Sequence, residues 1–220
     1  SEQLNEIDIG NLQQNMNSGD KVSYRTSNST WVYIPFNFQN TSRINEFREF
    51  TEHLALKTVN DFIIYYSKNK TDFISIYEKI SGDKNTNSLV LYSGAYSNIR
   101  TTAYSRRKNF NFYQNISACL YLGDYNVKGI RKMKNLEAKY MSYFQDISTI
   151  QIPHHGSRHN YNTNLNFKPN IISVISAGIN NIFKHPHNET LKNIAIKNGI
   201  IMLVTEADET KLTQNIYLRK

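Results

Sequence analysis

Residues 118–157, ACLYLGDYNVKGIRKMKNLEAKYMSYFQDISTIQIPHHGS, constrain the fold more than any other stretch of this chain. Two apolar runs, 118–122 and 147–152, have the length and composition of buried strands, and each stops at polar groups able to do chemistry. The first ends at Gly123-Asp124 and the second at His154-His155-Gly156-Ser157. Between them, Ile130, Met133, Leu136 and Tyr140 recur at three- and four-residue steps, which predicts an amphipathic helix over 128–144. A strand–helix–strand unit joins parallel neighbours, and parallel sheets bind ligands beyond the carboxyl ends of their strands. Asp124 and the His154/His155 pair are therefore expected close together.

The rest of the chain is read around that unit. A strand is expected over 31–36, with Pro35 at its edge or end. Apolar residues at helical spacing over 42–79 predict two or three helices broken near Asn69-Lys70-Thr71. In the first of these, Glu46, Glu49, Glu52 and the lone His53 read as a solvated face or local ion pairs. Residues 88–92 begin the main sheet, and 94–109 read as a long exposed connection carrying the solvated cluster Arg106-Arg107-Lys108. Further strands are expected over 171–175 and 200–205. A helix over 189–198 is expected to be stopped by Gly199, and an edge or hairpin strand over 212–218 to close the sheet. Only a short helix over 4–16 is readable in the polar segment 1–30. The fold class is α/β. With 220 residues and 39% hydrophobic content, one compact unit over 1–220 is expected.

Cys119 is the one cysteine and lies inside an apolar strand, so no disulfide forms within the chain, and a cytoplasmic location fits best. No apolar run is long enough to span a bilayer. A net charge of +8 and a pI near 9.4 point to an anionic partner, with nucleic acid one candidate. Tyr104, Tyr113 and Tyr161, read as lying on exposed loops, are candidates for stacking on bases. Four of the six histidines, His154, His155, His185 and His187, fall in two short loops that each follow an apolar strand, and His159 is close behind. An aspartate and a His-His pair on adjacent strand ends suit divalent metal binding, zinc or manganese. Ordinary loop histidines that cap strands are the alternative.

The succession Asn87-Ser88-Leu89-Val90-Leu91, Leu120-Tyr121-Leu122-Gly123-Asp124 and Ile152-Pro153-His154-His155-Gly156-Ser157 resembles the metallo-β-lactamase fold hydrolases. Within them it is most similar to the metallo-β-lactamase-like domain of ComEC-type DNA-uptake proteins. Ser173-Val174-Ile175-Ser176-Ala177-Gly178 and Asn180-Asn181-Ile182-Phe183-Lys184-His185-Pro186 continue the likeness, with Phe183 and Lys184 where that branch has Tyr and Gly. The resemblance covers 88–220 and leaves 1–87 as a variable strand plus helical insertion. It implies an αββα sandwich and a site with two divalent metal ions. Asp124 would bridge the ions, and one of His154 and His155, with His154 favoured, would be a ligand. The other would support it or touch substrate. His185 would act as proton donor or oxyanion stabiliser, and Gly156 and Ser157 would shape the loop or bind phosphate.

The family's first metal motif, of the His-X-His-X-Asp-His kind, has no counterpart here, since His53 alone precedes His154. One aspartate with one or two histidines falls short of the three or four protein ligands that zinc sites use. The expectation is thus the C-terminal half of a phosphodiesterase or nuclease, inactive alone. An N-terminal half, in the same polypeptide or a partner chain, would complete it, and association with that half or with a second copy is expected. A scaffold module that kept the fold without the metal site is the alternative, and a basic nucleic-acid-binding domain a third reading.

Overall fold

A computed structural model describes residues 22–26, 29–82, 85, 88–95, 100–108 and 110–219. The helix expected over 4–16 lies outside them. The chain divides into two compact units, one formed by residues up to 37 together with 89 onward, the other by 38–88.

The smaller unit holds three helices, α1 (Thr41–His53), α2 (Val59–Lys68) and α3 (Lys70–Lys79), with α2 and α3 separated at Asn69, inside the expected break. Thr58 and Asp61 form a reciprocal cap at the start of α2, satisfying amide groups that have no partner within the helix. Phe47 stacks on Phe62 at 5.4 Å, and Phe73 meets the edges of Phe50 and Phe62. Arg43, 4% exposed, donates to the carbonyls of Ile80, Ser81 and Gly82, which satisfies a charge that burial would otherwise penalise.

The larger unit is built on a seven-stranded sheet: β1 (Val22–Thr26), β2 (Ser29–Phe36), β3 (Val90–Ala95), β6 (Ala118–Tyr121), β7 (Ile147–Gln151), β8 (Ile172–Ser176) and β9 (Ile200–Val204), in that order. Pairing is antiparallel from β1 to β6 and parallel from β6 to β9. Helix α4 (Ile130–Tyr140) forms where the 3.6-residue period predicts and buries Met133, Leu136 and Tyr140. Full burial of a side chain such as Leu136 stabilises by roughly 1.5–3 kcal/mol. Tyr140 stacks on Tyr92 and donates its hydroxyl to the Ile34 carbonyl at 2.8 Å, joining the helix to β2 and β3.

A second sheet of three strands has the order β10 (Thr213–Arg219), β4 (Arg100–Arg107), β5 (Phe110–Gln114). This corrects two expectations. Residues 94–109 are not an exposed connection: β4 lies among them, with Thr101, Thr102, Ala103 and Ser105 buried and Arg106-Arg107 at its end. The last strand does not close the main sheet but pairs with β4, from Thr213↔Arg106 to Arg219↔Arg100. Threonine and serine carry little hydropathy, so a strand that buries them shows no apolar alternation.

The register shows where this sheet packs. Tyr92, Leu120 and Ile150 are aligned partners on the face that meets α4, so Ser93, Cys119 and Thr149 point the other way. On that second face the Gln214 side chain of β10 donates to Thr149 and to Ser105 of β4, and accepts from the Cys119 thiol. The layers are helix, sheet, sheet, a mixed α/β architecture. Among the described residues no helix is long and apolar enough to cross a membrane.

Candidate functional site at the carboxyl ends of the parallel strands

Strand β6 runs into buried Leu122, then Gly123 at φ 50° and the exposed Asp124. Strand β7 runs through Ile152, whose amide pairs with the Val174 carbonyl, into Pro153 and the histidines. Because β6 and β7 are parallel neighbours, the two turns emerge side by side. The His154 amide donates to the Gly123 carbonyl at 2.9 Å, which fastens one turn to the other next to Asp124.

The second turn has an uncommon backbone. His154, His155 and Gly156 take φ values of 47°, 56° and 80° in succession, so two residues with Cβ atoms sit in the left-handed region, at about 1–2 kcal/mol each. Neighbouring bonds hold them there. Gly156 donates to the Pro153 carbonyl, Ser157 to the His154 carbonyl, and His187 to the Gly156 carbonyl. Ser157 is 3% exposed and accepts from the His159 amide, a loop-shaping contact. A Cβ added to Gly156 would lie 2.7 Å from the Cβ of Pro186, so the loops after β7 and β8 touch at a point where only glycine fits.

The loop after β8 is built around Asn181. Its amide nitrogen donates to the carbonyls of Gly178 and His185, and its oxygen accepts from the His185 amide at 2.7 Å. The sequence places Asn181 in the motif that ends at Pro186 but assigns it no role; the structure shows it bracing the loop, as asparagine side chains do in turns. The His185 ring lies 5.8 Å from His154 and 4.7 Å from His187, while His155 neighbours His154 and His159 neighbours His187, each at 6.0 Å. Five of the six histidines thus form a continuous row, 155–154–185–187–159. His53 lies in α1.

Hydrogen bonds assign protons along the row. A carbonyl oxygen only accepts, so the 2.6 Å bond between His155 Nδ1 and the Ser176 carbonyl puts the proton on Nδ1 and leaves the lone pair of the neutral ring on Nε2. His187 Nδ1 accepts from the Arg158 amide at 3.3 Å and lies 3.1 Å from His185 Nδ1, so His185 Nδ1 is the donor there. The neutral His185 ring then keeps its lone pair on Nε2 as well. Burial first, then His187 and His154, hold the His185 pKa below the ordinary imidazole range; burial first, then Arg158, do the same for His187. Neutral rings of fixed tautomer are the form in which histidine accepts a proton or a metal.

Lys128 donates its ammonium to the Arg158 carbonyl at 3.0 Å, which places two cationic side chains along the His187 end of the row. Beside the other end, a cavity of about 440 Å³ between the two sheets is lined by Tyr121, Gln151 and Ser176, the last residues of β6, β7 and β8, and by Cys119 and Gln214 deeper in. Burial pushes the Cys119 thiol pKa up, in keeping with an unreactive cysteine. Tyr161 is 5% exposed and so lies outside the reach of a base. Tyr104 and Tyr113 sit opposite each other in β4 and β5 rather than on loops. Among the described residues no three of His, Cys, Asp and Glu form a ready-made metal-holding group. Comparison with models of protein families, with curated proteins and with solved structures finds no significant match to this chain.

Proposed function

We propose that this chain supplies part of the active site of a metal-dependent hydrolase of the metallo-β-lactamase type, a phosphodiesterase or nuclease, with the layers α4, main sheet and second sheet belonging to an αββα sandwich. The observation that carries the reading is the strained left-handed turn that holds His154 and His155 beside Asp124 and against His185. Left-handed histidines are costly to the fold, and such strain gathers where a side chain must be aimed at a ligand.

The donor chemistry suits divalent ions such as zinc or manganese. Asp124 offers an exposed carboxylate, and His155 offers Nε2 with its other nitrogen fixed by a carbonyl, the arrangement usual for a ligating histidine. His154, between His155 and His185, is the ligand favoured by the resemblance. These groups fall short of a full set for two ions, so the remaining ligands belong to another segment of polypeptide or a partner chain. The chemistry such ions supply is activation of water and polarisation of a phosphoryl oxygen. In the hydrolysis a water oxygen forms the new P–O bond, the ester P–O bond breaks, and the proton released by water balances the one delivered to the leaving oxygen. His185, whose Nε2 lone pair faces away from His187, is placed to take up the proton released by water and pass it to the leaving oxygen. The +8 net charge favours a polyanionic substrate. A cytoplasmic location is part of this reading.

The test is metal-dependent hydrolysis of a phosphodiester by the protein isolated with whatever associates with it, a second copy included. Zinc or manganese is expected to restore turnover after chelation, and Asp124→Ala to abolish it. Full activity in Asp124→Ala would overturn the bridging role. Metal-independent binding of phosphodiesters without turnover would favour a scaffold or binding module.

A further inference from the structure

The loop that positions His185 is rigid yet turns apolar groups outward. Asn181 brackets it from Gly178 to His185, the Lys184 amide returns to the Asn181 carbonyl, and the Ile179 amide is held by the Glu206 carboxylate at 3.0 Å. Even so, Ile179, Ile182 and Phe183 are 63%, 84% and 69% exposed. The Phe183 ring lies within 18° of parallel to that of His185, with centroids 6.0 Å apart, and Lys184 follows at φ 54° with its side chain exposed. A flat apolar ring, an ammonium group and the His185 imidazole thus stand together on one fixed loop.

We infer that Phe183 is a specificity-determining residue that stacks on an unpaired nucleobase flanking the phosphate held at His185. The inference rests on the hydrolase reading and sharpens it to substrates that carry a base. Three features point to a base rather than to a protein surface. The ring lies nearly parallel to that of a site histidine, so a base stacked on it is oriented against the row. The adjoining cations Lys184, Arg158 and Lys128 match a sugar–phosphate chain. The chain as a whole is basic. Stacking is sequence-tolerant because every base has a π-face, so Phe183 would select for exposed bases, not for a sequence.

The experiment measures anisotropy of a labelled single-stranded oligonucleotide, and of the same sugar–phosphate chain without bases, binding to the full protein in the presence of a chelator. The expected result is tighter binding of the base-bearing strand. Phe183→Ala is expected to weaken that strand by roughly 5- to 150-fold, the range base–aromatic stacking provides, and to leave the base-free strand unchanged. Phe183→Tyr should bind as the parent, and Phe183→Leu, apolar but not planar, as the alanine variant. Equal binding of the two strands, no binding of either, or full binding by Phe183→Ala would overturn the inference. Full binding by Phe183→Leu would also overturn it, because the contact would then need no planar ring. Intact stacking without hydrolysis would sink the hydrolase reading alone. Hydrolysis of the base-free strand that ignores Phe183, with equal binding of both strands, would sink only the stacking role.

Discussion

The two edges of the parallel strands use left-handed backbone differently. At the amino edge, the residues at positive φ are Asn170, ahead of β8, and Asn198, ahead of β9, and the Asn170 amide bonds to the Asn198 carbonyl at 2.9 Å. Asparagine tolerates this region because its short amide can hydrogen-bond locally. At the carboxyl edge, beside Gly123 and Gly156, the same region is occupied by His154, His155 and Lys184, whose Cβ atoms are crowded there. A fold needing only turns would use asparagine or glycine at both edges. The carboxyl edge departs from that economy, and this is the strain on which the proposed site rests.

The contrast can be broken most sharply at Gly156. Gly156→Ala forces a Cβ against Pro186 at φ 80° and is expected to destabilise by about 1–3 kcal/mol, a fall of roughly 2–4 °C in Tm per kcal/mol. An unchanged Tm would mean that the two histidine loops are not packed together. A smaller effect of opposite sign is expected at His154. His154→Gly relieves about 1–2 kcal/mol of left-handed strain against about 0.5–1 kcal/mol of added chain entropy, so the variant should gain up to ~1.5 kcal/mol while losing function. Asn198→Gly should change stability little. If both glycine variants behave alike by denaturant melting, the carboxyl edge carries no special strain.

The smallest effect lies in the helical unit, which supplies a baseline for polar groups whose work is structural alone. The Ser81 amide and hydroxyl hold the Glu46 carboxyl below its ordinary value of 4.5. A carboxyl depressed in the folded state stabilises above its unfolded pKa and loses that contribution as pH falls through its folded one. The stability difference between the parent and Glu46→Gln should therefore be present at neutral pH and vanish on acidification below about 4.5. A difference that grows in acid would show that Ser81 does not hold the ionised form.

Much of the scaffold was legible because its signals are local. The α4 period, the β6 and β7 runs and the break at Asn69 follow from apolar spacing and from residues that interrupt it. The β4 strand was not legible, since Thr101, Thr102 and Ser105 carry no apolar pattern, and their burial depends on Gln214 and β10 more than a hundred residues away. Gly199 was anticipated as a conformational stop for α5 (Asn188–Ile196), but the left-handed residue is Asn198. Gly199 is needed for room, because a Cβ there would lie 2.7 Å from Ile194.

By itself the sequence determined that Asp124 and His154 end neighbouring strands, because strand length and helix period are properties of short segments. Tertiary structure alone decided that His154 meets His185 and that His187 meets His159, and that Ser176 and Arg158 assign the protons of His155 and His187. The links from His155 to Ser176 and from Arg158 to His187 join residues 21 and 29 apart in the chain. Only the side-by-side packing of β7 and β8 makes them short.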